Sequence, residues 1–369
     1  MIRNPRFDIY RIGDKEYLLP SGQNIQRRSK VMCLSGIAPL LWNEFEYDHS
    51  IVSMFRFVEE KYGAKNQDDR NIISVDVSNV CAAFIRAGAL LEEAEPIGDR
   101  LLESEDIIVD RNGENGYICS FPRFDSVEDI YIDSIADSED GACKEAGVST
   151  EHALKYMNAY SLNEIADYDY ELRISTRIPY SYYALMSGRV FVHSASILYR
   201  GRLWLFAAPA GIGKSTHVKM WEKNCGARII NGDLNLIGIN VDGVGKGLAV
   251  SSVDRVGESS GEPWVYGTPW CGTSEIYELK DYPLGGIIIL RQGYKDYIED
   301  MSYEDGVIGI LSRSVSPMWD KKLVRKNVDI IADIAKDIMI CKLYCTIHDS
   351  AYTLMKSYID EYLDGKQER

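Results

Sequence analysis

A glycine-containing segment between a strand-like and a helix-like run is the most constraining feature of this sequence. Residues 208–215 read APAGIGKS and directly follow the apolar run LWLFA. The pattern G-x-x-x-x-G-K-[ST] binds phosphate because backbone N–H groups and a helix N-terminus point at the phosphate oxygens. The segment has each fixed residue of that pattern except the first, where Ala208 replaces glycine. A strand before it and a helix after it are the context that such a loop requires, so the sequence predicts a nucleotide-binding loop.

The loop pattern also assigns roles to individual side chains. Lys214 is expected to reach the β- and γ-phosphates, and the Ser215 hydroxyl is expected to hold Mg²⁺. ATP and Mg²⁺ are therefore the expected ligands. The residues predicted to contact the nucleotide are Ala210, Gly211, Ile212, Gly213, Lys214, Ser215 and Thr216.

A magnesium site needs a second anchor, which is usually an aspartate at the end of a neighbouring strand. The segment RIINGDLNLI supplies Asp233, nineteen residues after Lys214. That spacing accommodates one helix and one returning strand. We therefore expect the strand end that carries Asp233 to lie beside the strand end that precedes the loop. The alternative is that Asp233 belongs to an ordinary Asn-Gly-Asp turn.

Three regions follow from the patterns along the chain. Residues 1–95 predict a hairpin turning at Gly13-Asp14 and then three helices, a winged-helix-like α+β domain. Residues 96–185 predict a linker and β-rich insert that packs on the next domain. Residues 186–369 alternate strand and helix, which predicts an α/β nucleotide-binding domain. Expected helix signals in the first region are the N-caps Ser35 and Ser50 and the terminating glycines Gly63 and Gly88.

Charge and composition limit the partners. The formal net charge is −15, which disfavours nucleic acid as the main partner because phosphate repels an acidic surface. The basic run IQRRSK at 25–30 is interpreted as a solvated loop. No apolar run is long enough to span a bilayer, so no membrane partner is expected. The N-terminus has no apolar signal core, and the eight cysteines form no C-x-x-C pair, which together favour a cytoplasmic protein.

Three segments resemble the HPr kinase/phosphorylase family and its relative, ATP-dependent phosphoenolpyruvate carboxykinase. They are VHSASILYRGRLWLFAAPAGIGKST, RIINGDLNLI and YPLGGIIILRQG. The resemblance implies an α/β P-loop kinase domain of the HPr kinase/carboxykinase type. It also implies that His193 lies near the γ-phosphate, that Lys214, Ser215 and Asp233 bind nucleotide and metal, and that Arg291 stabilises the transferring charge.

The chain departs from that family at one position. Where the family has two adjacent aspartates, this chain has Gly232 followed by Asp233. The first family aspartate is the general base, so the resemblance leaves two alternatives. Either Asp233 serves both metal and substrate hydroxyl, or another group such as His193 takes the proton.

The first ninety-odd residues resemble the PqqD family, small domains that bind the leader segment of ribosomally made precursor peptides. The matching pattern is a strand pair followed by LSGIAPLLWNEF, SIVSMFRFVEEKYG and SVDVSNVCAAFIRAGALL. The resemblance implies that a leader peptide adds as a strand to a sheet edge. Together the two resemblances imply a Mg-ATP-dependent kinase for a serine or threonine of a precursor peptide. A homo-oligomer is compatible with them, because HPr kinases form hexamers.

Other interpretations of the sequence remain open. The chain could phosphorylate a small metabolite, act like a carboxykinase, or bind nucleotide as a regulator without phosphoryl transfer. The loop 266–275, YGTPWCGTSE, is either a lid over the site or a tight turn with Trp270 buried. His217 is expected to pack or to contact nucleotide only peripherally, and Cys271 is not expected to be a nucleophile.

Overall fold

The computed structural model describes residues 1–21, 31–94, 98–103, 108–112, 116–120, 130–133, 177, 180–240 and 261–367. The chain divides into two compact units. The first comprises Met1–Leu102 and Met318–Arg325, and the second comprises Glu103–Pro317 and Lys326–Arg369. The basic run at 25–30 and most of the insert at 96–185 lie outside the described residues, so the interpretations placed on them stay predictions.

The first unit combines short antiparallel strands with three helices. The strands are β1 (Ile2–Arg3), β2 (Phe7–Ile12), β3 (Lys15–Pro20), β4 (Met32–Leu34) and β5 (Leu90–Leu91). The helices are α1 (Ala38–Glu44), α2 (Ile51–Tyr62) and α3 (Gln67–Ala87). Strands β2, β3 and β4 form one sheet in that order, and β1 pairs with β5. The predicted hairpin at Gly13-Asp14 and the three predicted helices are confirmed.

The ends of these helices show which local signals operate. Ser50 accepts a hydrogen bond from Ser53 N, and Gly63 ends α2 in the left-handed conformation, as predicted. Gly88 ends α3 in the same way. The prediction for Ser35 was wrong, because α1 starts at Ala38 after Ile37, without a side-chain cap and with proline in its first turn. Proline needs no N–H partner at a helix start, so no capping hydroxyl was required there.

One apolar core holds the first unit together. Leu41, Trp42 and Phe45 of α1 pack against buried side chains of α2 and α3. The ring of Trp42 meets that of Phe84 edge-on at a centroid distance of 5.6 Å. Aromatic pairs favour this arrangement because the positive edge of one ring faces the negative face of the other.

The second unit contains one large mixed sheet and most of a small four-stranded sheet, whose first strand lies mainly within the first unit. The small sheet has the order β6 (Arg100–Glu103), β7 (Ile108–Asn112), β8 (Gly116–Ser120) and β9 (Ile130–Asp133). The strands of the large sheet are β10 (Arg189–Tyr199), β11 (Arg202–Ala207), β12 (Arg228–Asn231), β13 (Leu234–Asn240), β14 (Glu262–Tyr266), β15 (Tyr282–Gln292), β16 (Tyr297–Asp300) and β17 (Met339–Cys345). The helices are α4 (Lys214–Cys225), α5 (Tyr303–Leu311), α6 (Lys321–Ala335), whose first turn lies in the first unit, and α7 (Asp349–Gln367).

The large sheet places three parallel strand ends at one edge. Strand β11 pairs in parallel with β15, and β15 pairs in parallel with β17. Strands β10, β13, β14, β15 and β11 each pair with the next, so their pairings close into a ring. In α/β sheets, ligands bind beyond the carboxyl ends of parallel strands, and the glycine-containing segment follows β11 at this edge.

The prediction that the strand ends before the loop and before Asp233 lie side by side was wrong. Strands β12 and β13, which flank Asp233, pair with β10, and β10 in turn pairs with β11. One strand therefore separates the two ends. The chain spacing that motivated the prediction fixes how many elements fit between two residues, but it does not fix which earlier strand inserts between them.

Apolar packing fixes the helix that follows the loop. Trp221 of α4 is fully buried and meets Tyr352 of α7 edge-on at 5.1 Å. Phe206 of β11 and Ile288 of β15 belong to the same core cluster. Among the helices that the structure describes, none has the length and apolar character needed to cross a bilayer.

Candidate active site

The loop after β11 has the backbone conformation that its glycines permit. Gly211 and Gly213 have φ angles of 79° and 109°, which side-chain-bearing residues rarely adopt. A Cβ built on either glycine would have no atom within 4 Å, so the space beside the loop is open. Ala208 is fully buried and does not belong to the described non-glycine residues with positive φ. The replacement of glycine by Ala208 therefore introduces no backbone strain.

Helix α4 starts directly at the end of this loop. Gly213 is its N-cap and provides no side-chain hydrogen bond. The amide of His217 donates to Gly213 O at 2.9 Å, so the helical ladder begins only after the first turn. The N–H groups of that turn carry partial positive charge and lack partners within the helix. Of the predicted nucleotide-binding side chains, Ala210, Ser215 and Thr216 are exposed, and Ile212 is half-buried.

Lys214 is the first residue of α4, and it is buried. Its side chain is 8% exposed. Its ammonium donates to Ala208 O at 3.1 Å and lies 2.8 Å from His193 Nε2. Removal from water lowers the pKa of Lys214; the negative charge of Asp233 acts in the opposite direction, and the positive charge of Arg313 lowers the pKa further. The buried ammonium is held by only a few polar groups, which are those that bound phosphate would replace.

His193, Lys214 and Asp233 form one cluster. His193 Nε2 lies 3.0 Å from Asp233 Oδ1 and 2.8 Å from Lys214 Nζ. A ring nitrogen either carries a proton and donates, or carries a lone pair and accepts. Nε2 therefore hydrogen-bonds one of these partners and is attracted or repelled electrostatically by the other. The tautomer of His193 consequently decides whether Nε2 is hydrogen-bonded to Lys214 or to Asp233.

Asp233 is positioned by the buried side chain of Asn231. The Asn231 Oδ1 atom accepts from Asp233 N at 2.9 Å and from Leu234 N at 3.0 Å. Its amide donates to Thr268 O at 3.3 Å and Trp270 O at 3.2 Å. Asparagine stabilises turns in this way because its side-chain oxygen accepts from backbone N–H groups two and three residues on. The turn that carries Asp233 is therefore tied to the loop at 266–275.

Asp233 is held ionised by its neighbours. Burial would raise the pKa of Asp233, but the hydrogen bond from His193 and the charges of His193, Lys214 and Arg177 together hold this pKa below the usual range of an aspartate. Favourable charge interactions outweigh desolvation here because several cationic or donor groups converge on one carboxylate.

A serine side chain occupies the space beside Gly232. A Cβ at Gly232 would lie 2.1 Å from Ser274 Oγ and 2.5 Å from Ser274 Cβ. Ser274 Oγ donates to Cys271 O at 2.6 Å and accepts from Ile276 N at 3.3 Å, so its side chain is fixed. The chain therefore has no aspartate at position 232, and the fixed Ser274 side chain leaves no room for one there.

The loop at 266–275 matches one of the two alternatives raised from its sequence, the tight turn with Trp270 buried, and the lid alternative stays a prediction. Trp270 is 3% exposed and packs against Tyr180 and Phe191 with centroid distances of 4.7 and 5.7 Å, so the buried-turn interpretation is confirmed. The same loop also approaches the cluster, since a Cβ at Gly272 would lie 2.9 Å from the Asp233 carboxyl carbon. The loop therefore forms one side of the site, and the buried Trp270 holds it in place.

Arginines other than the predicted Arg291 act electrostatically on the cluster, and the role predicted for Arg291 stays a prediction. Arg291 is the penultimate residue of β15, which pairs with the opposite side of β11 from β10. Arg313 instead acts electrostatically on Lys214, and its carbonyl accepts from His193 N at 2.8 Å. Arg177 acts on Asp233. Nothing in the local sequence around Arg313 or Arg177 signals this proximity, because the chain reaches the site there through tertiary packing alone.

His217 belongs to the core behind the loop. It is 2% exposed, and burial lowers its pKa to about 4, so the ring is neutral. His217 Nε2 lies 3.3 Å from Trp221 Nε1, which donates to it, and its ring contacts Phe206 at 4.7 Å. Cys271 is likewise buried, at 3% exposed.

Sequence comparisons add no relatives to this geometry. No protein-family model matches the chain, and no curated protein matches it. Within the part of the chain that the structure describes, no three His, Cys, Asp or Glu residues form a cluster able to hold a metal by themselves.

We expect Gly232→Ala to destabilise the protein, because its Cβ would overlap the fixed Ser274 side chain. Overpacking of this kind lowers the free energy of unfolding by about 1–3 kcal/mol. Ser274→Gly in the same chain should recover most of that loss. Chemical denaturation of the wild type, both single variants and the double variant gives the coupling free energy between the two positions. Purely additive effects of the two substitutions on the free energy of unfolding would contradict a contact between position 232 and Ser274.

Proposed function

We propose that this chain is a Mg²⁺- and ATP-dependent kinase that phosphorylates a serine or threonine hydroxyl of a ribosomally made precursor peptide. In this proposal the second unit is an HPr kinase-like P-loop domain, and the first unit is a PqqD-like leader-binding domain. The observation that carries the proposal is the approach of Lys214, His193 and Asp233 to one another at the mouth of the glycine loop. A cation, a proton-handling ring and an ionised carboxylate beside a phosphate-binding backbone are the groups that phosphoryl transfer needs.

The loop and Lys214 would bind the donor phosphates. The first-turn N–H groups of α4 follow Gly213, beside which the structure leaves open space, and a helix N-terminus favours an anion. Lys214 would exchange Ala208 O and His193 for phosphate oxygens. After this exchange, the ammonium, which is partly removed from water, would be paired with charged phosphate oxygens. The attraction between them would be stronger than for a lysine that is fully solvated.

The residues present fit a magnesium ion at this position. Asp233 is ionised, and Ser215 exposes its hydroxyl on the first turn of α4. Mg²⁺ is commonly held by one or two protein oxygens, with water and substrate phosphates completing the octahedron, so a single carboxylate and a hydroxyl suffice. When bound, the ion would neutralise charge on the phosphates.

Asp233 is our candidate for the proton acceptor. The acceptor hydroxyl would attack the γ-phosphorus, the bond from that phosphorus to the ADP oxygen would break, and the hydroxyl proton would pass to Asp233. His193 would orient that carboxylate through its Nε2 contact. The nearby positive charge of Arg313 would stabilise charge on the transferring group.

Among the described residues, the outer edge of β4 is our candidate for the sheet edge that binds a leader peptide. At β2, the Ile9 carbonyl accepts from Arg325 Nη2 at 3.4 Å, and Ile9 N donates to Asp8 Oδ1 at 2.9 Å. Among the described strands, β4 pairs only with β3. We therefore assign leader binding to the outer edge of β4, where Cys33 is exposed. Binding there would raise the local concentration of the core peptide.

A second candidate function is nucleotide-dependent regulation without transfer. The observation in its favour is the Ser274 side chain in the space beside Gly232, which removes the position of the family's first aspartate. In that case the site would bind ATP, and Asp233 would serve only as a metal ligand.

Phosphate transfer to a precursor peptide distinguishes the peptide kinase from the nucleotide-dependent regulator. We expect the wild type, with Mg²⁺ and ATP, to add one phosphate to a precursor peptide encoded beside its gene, detected by mass spectrometry. Lys214→Ala should reduce the rate by about 10²–10³-fold, as for loss of one transition-state charge contact. Lys219→Ala is the matched control, because Lys219 is an exposed lysine on the same helix.

Equal rates for Lys214→Ala and Lys219→Ala would contradict the proposed site. Tight ATP binding without transfer to any peptide would favour the regulatory function. The core peptide without its leader tests the first unit, since KM should then rise while kcat stays unchanged.

The pH dependence of kcat tests the proton acceptor. Because the pKa of Asp233 lies below 3.8, the carboxylate stays ionised throughout the neutral and mildly acidic range. With saturating Mg-ATP and peptide, we expect kcat to change by less than about twofold between about pH 8 and about pH 5.5. A tenfold fall over that interval, with the protein still folded by circular dichroism, would assign proton transfer to a different group.

A further inference from the structure

A second surface lies at the same sheet edge, on the flank of the loop away from Asp233. Two turns form it, one at 293–296 after β15 and one at 346–348 after β17. Tyr294 and Ile347 project from these turns and are 109% and 81% exposed. Single exposed apolar side chains are common on protein surfaces, so the feature that singles out these two is their place at the sheet edge that carries the phosphate loop.

The strand order fixes where this surface lies relative to the phosphate loop. Ala207 of β11 is level with Ile289 of β15, and Ile289 is level with Lys342 of β17. The three strands run in parallel, so the loop and both turns leave the same edge. Two strand spacings separate β11 from β17, which is roughly 10 Å. A nucleoside with its α- and β-phosphates has a comparable length.

The two turns are held together as one rigid platform. Asp296 Oδ1 accepts from Thr346 N at 2.6 Å, and Asp296 Oδ2 accepts from the Ser350 hydroxyl. Gly293 N donates to Cys345 O at 3.1 Å. Beneath them, the rings of Tyr297 and Tyr344 stack at 4.4 Å with an interplanar angle of 8°. The backbone of both turns is therefore fixed before a ligand binds, which reduces the ordering cost of binding.

The platform is also joined to the phosphate-loop helix. Asp349, which begins α7 directly after the second turn, forms an ion pair with Lys223 of α4 at 3.0 Å. The Trp221–Tyr352 contact fixes the same two helices through the core. The distance between platform and loop is therefore set by packing within one unit.

We propose that Tyr294 and Ile347 bind the purine base of the donor nucleotide whose phosphates occupy the loop at 210–216. This inference rests on the proposed ATP site and adds to it the residues that would bind the base. The γ-phosphate would then point toward Asp233 and His193, because the base and these residues lie on opposite flanks of β11. An exposed aromatic face and a neighbouring aliphatic side chain form the kind of surface on which bases stack.

Calorimetric titration of the full chain, with Mg²⁺, tests this assignment by comparing ATP with inorganic tripolyphosphate. We expect the wild type to bind ATP more tightly than tripolyphosphate. Tyr294→Ala and Ile347→Ala should each weaken ATP by about tenfold, the usual effect of removing a stacking contact, and should leave tripolyphosphate affinity unchanged. Tyr294→Phe should retain ATP affinity, since the ring is kept.

Tyr47→Ala is the matched control, because Tyr47 is an exposed tyrosine of the first unit at 70% exposure. It should bind both ligands as the wild type does. Wild-type ATP affinity in Tyr294→Ala and Ile347→Ala would overturn the base site while leaving the phosphate site intact. Absence of binding for both ligands in the wild type would overturn the phosphate site too.

Discussion

The structure of the candidate site depends on a buried lysine. Lys214 places its ammonium among Ala208 O, His193 Nε2 and the field of Asp233, at a position that α4 and β11 fix through the Trp221 core. Desolvation makes an ammonium expensive there unless negative partners surround it. The open space above Gly211 and Gly213 is where phosphate oxygens would supply such partners. Under the proposed function, an anion bound on the loop would therefore stabilise the buried ammonium of Lys214.

Residues 271–274 form one side of the site and limit which carboxylates can lie near Lys214. Ser274 fills the space beside Gly232, and Gly272 lies against Asp233. The site therefore contains one carboxylate where the HPr kinase family has two. Under the proposed function, metal binding and proton acceptance would fall to the same side chain, and His193 would orient that carboxylate.

Local patterns in the sequence predicted the elements and the residues closest to the loop. The glycine spacing, the caps Ser50 and Gly63 and the apolar strand at 282–292 each depend on neighbouring residues, and each appears in the structure. The insertion of β10 between β11 and the Asp233 turn was missed, because strand order depends on contacts far apart in the chain. Ser274 and Arg313 were missed for the same reason. Their importance comes from their tertiary neighbours Gly232 and Lys214, and no local motif marks them.

A crystal structure of the full chain with Mg²⁺ and a non-hydrolysable ATP analogue tests the central claim most directly. The account predicts triphosphate density on the loop at 210–216, with Lys214 Nζ moved from Ala208 O and His193 onto phosphate oxygens and with metal density beside Ser215 and Asp233. Lys214 still bonded to Ala208 O, with the nucleotide absent or bound elsewhere, would contradict it.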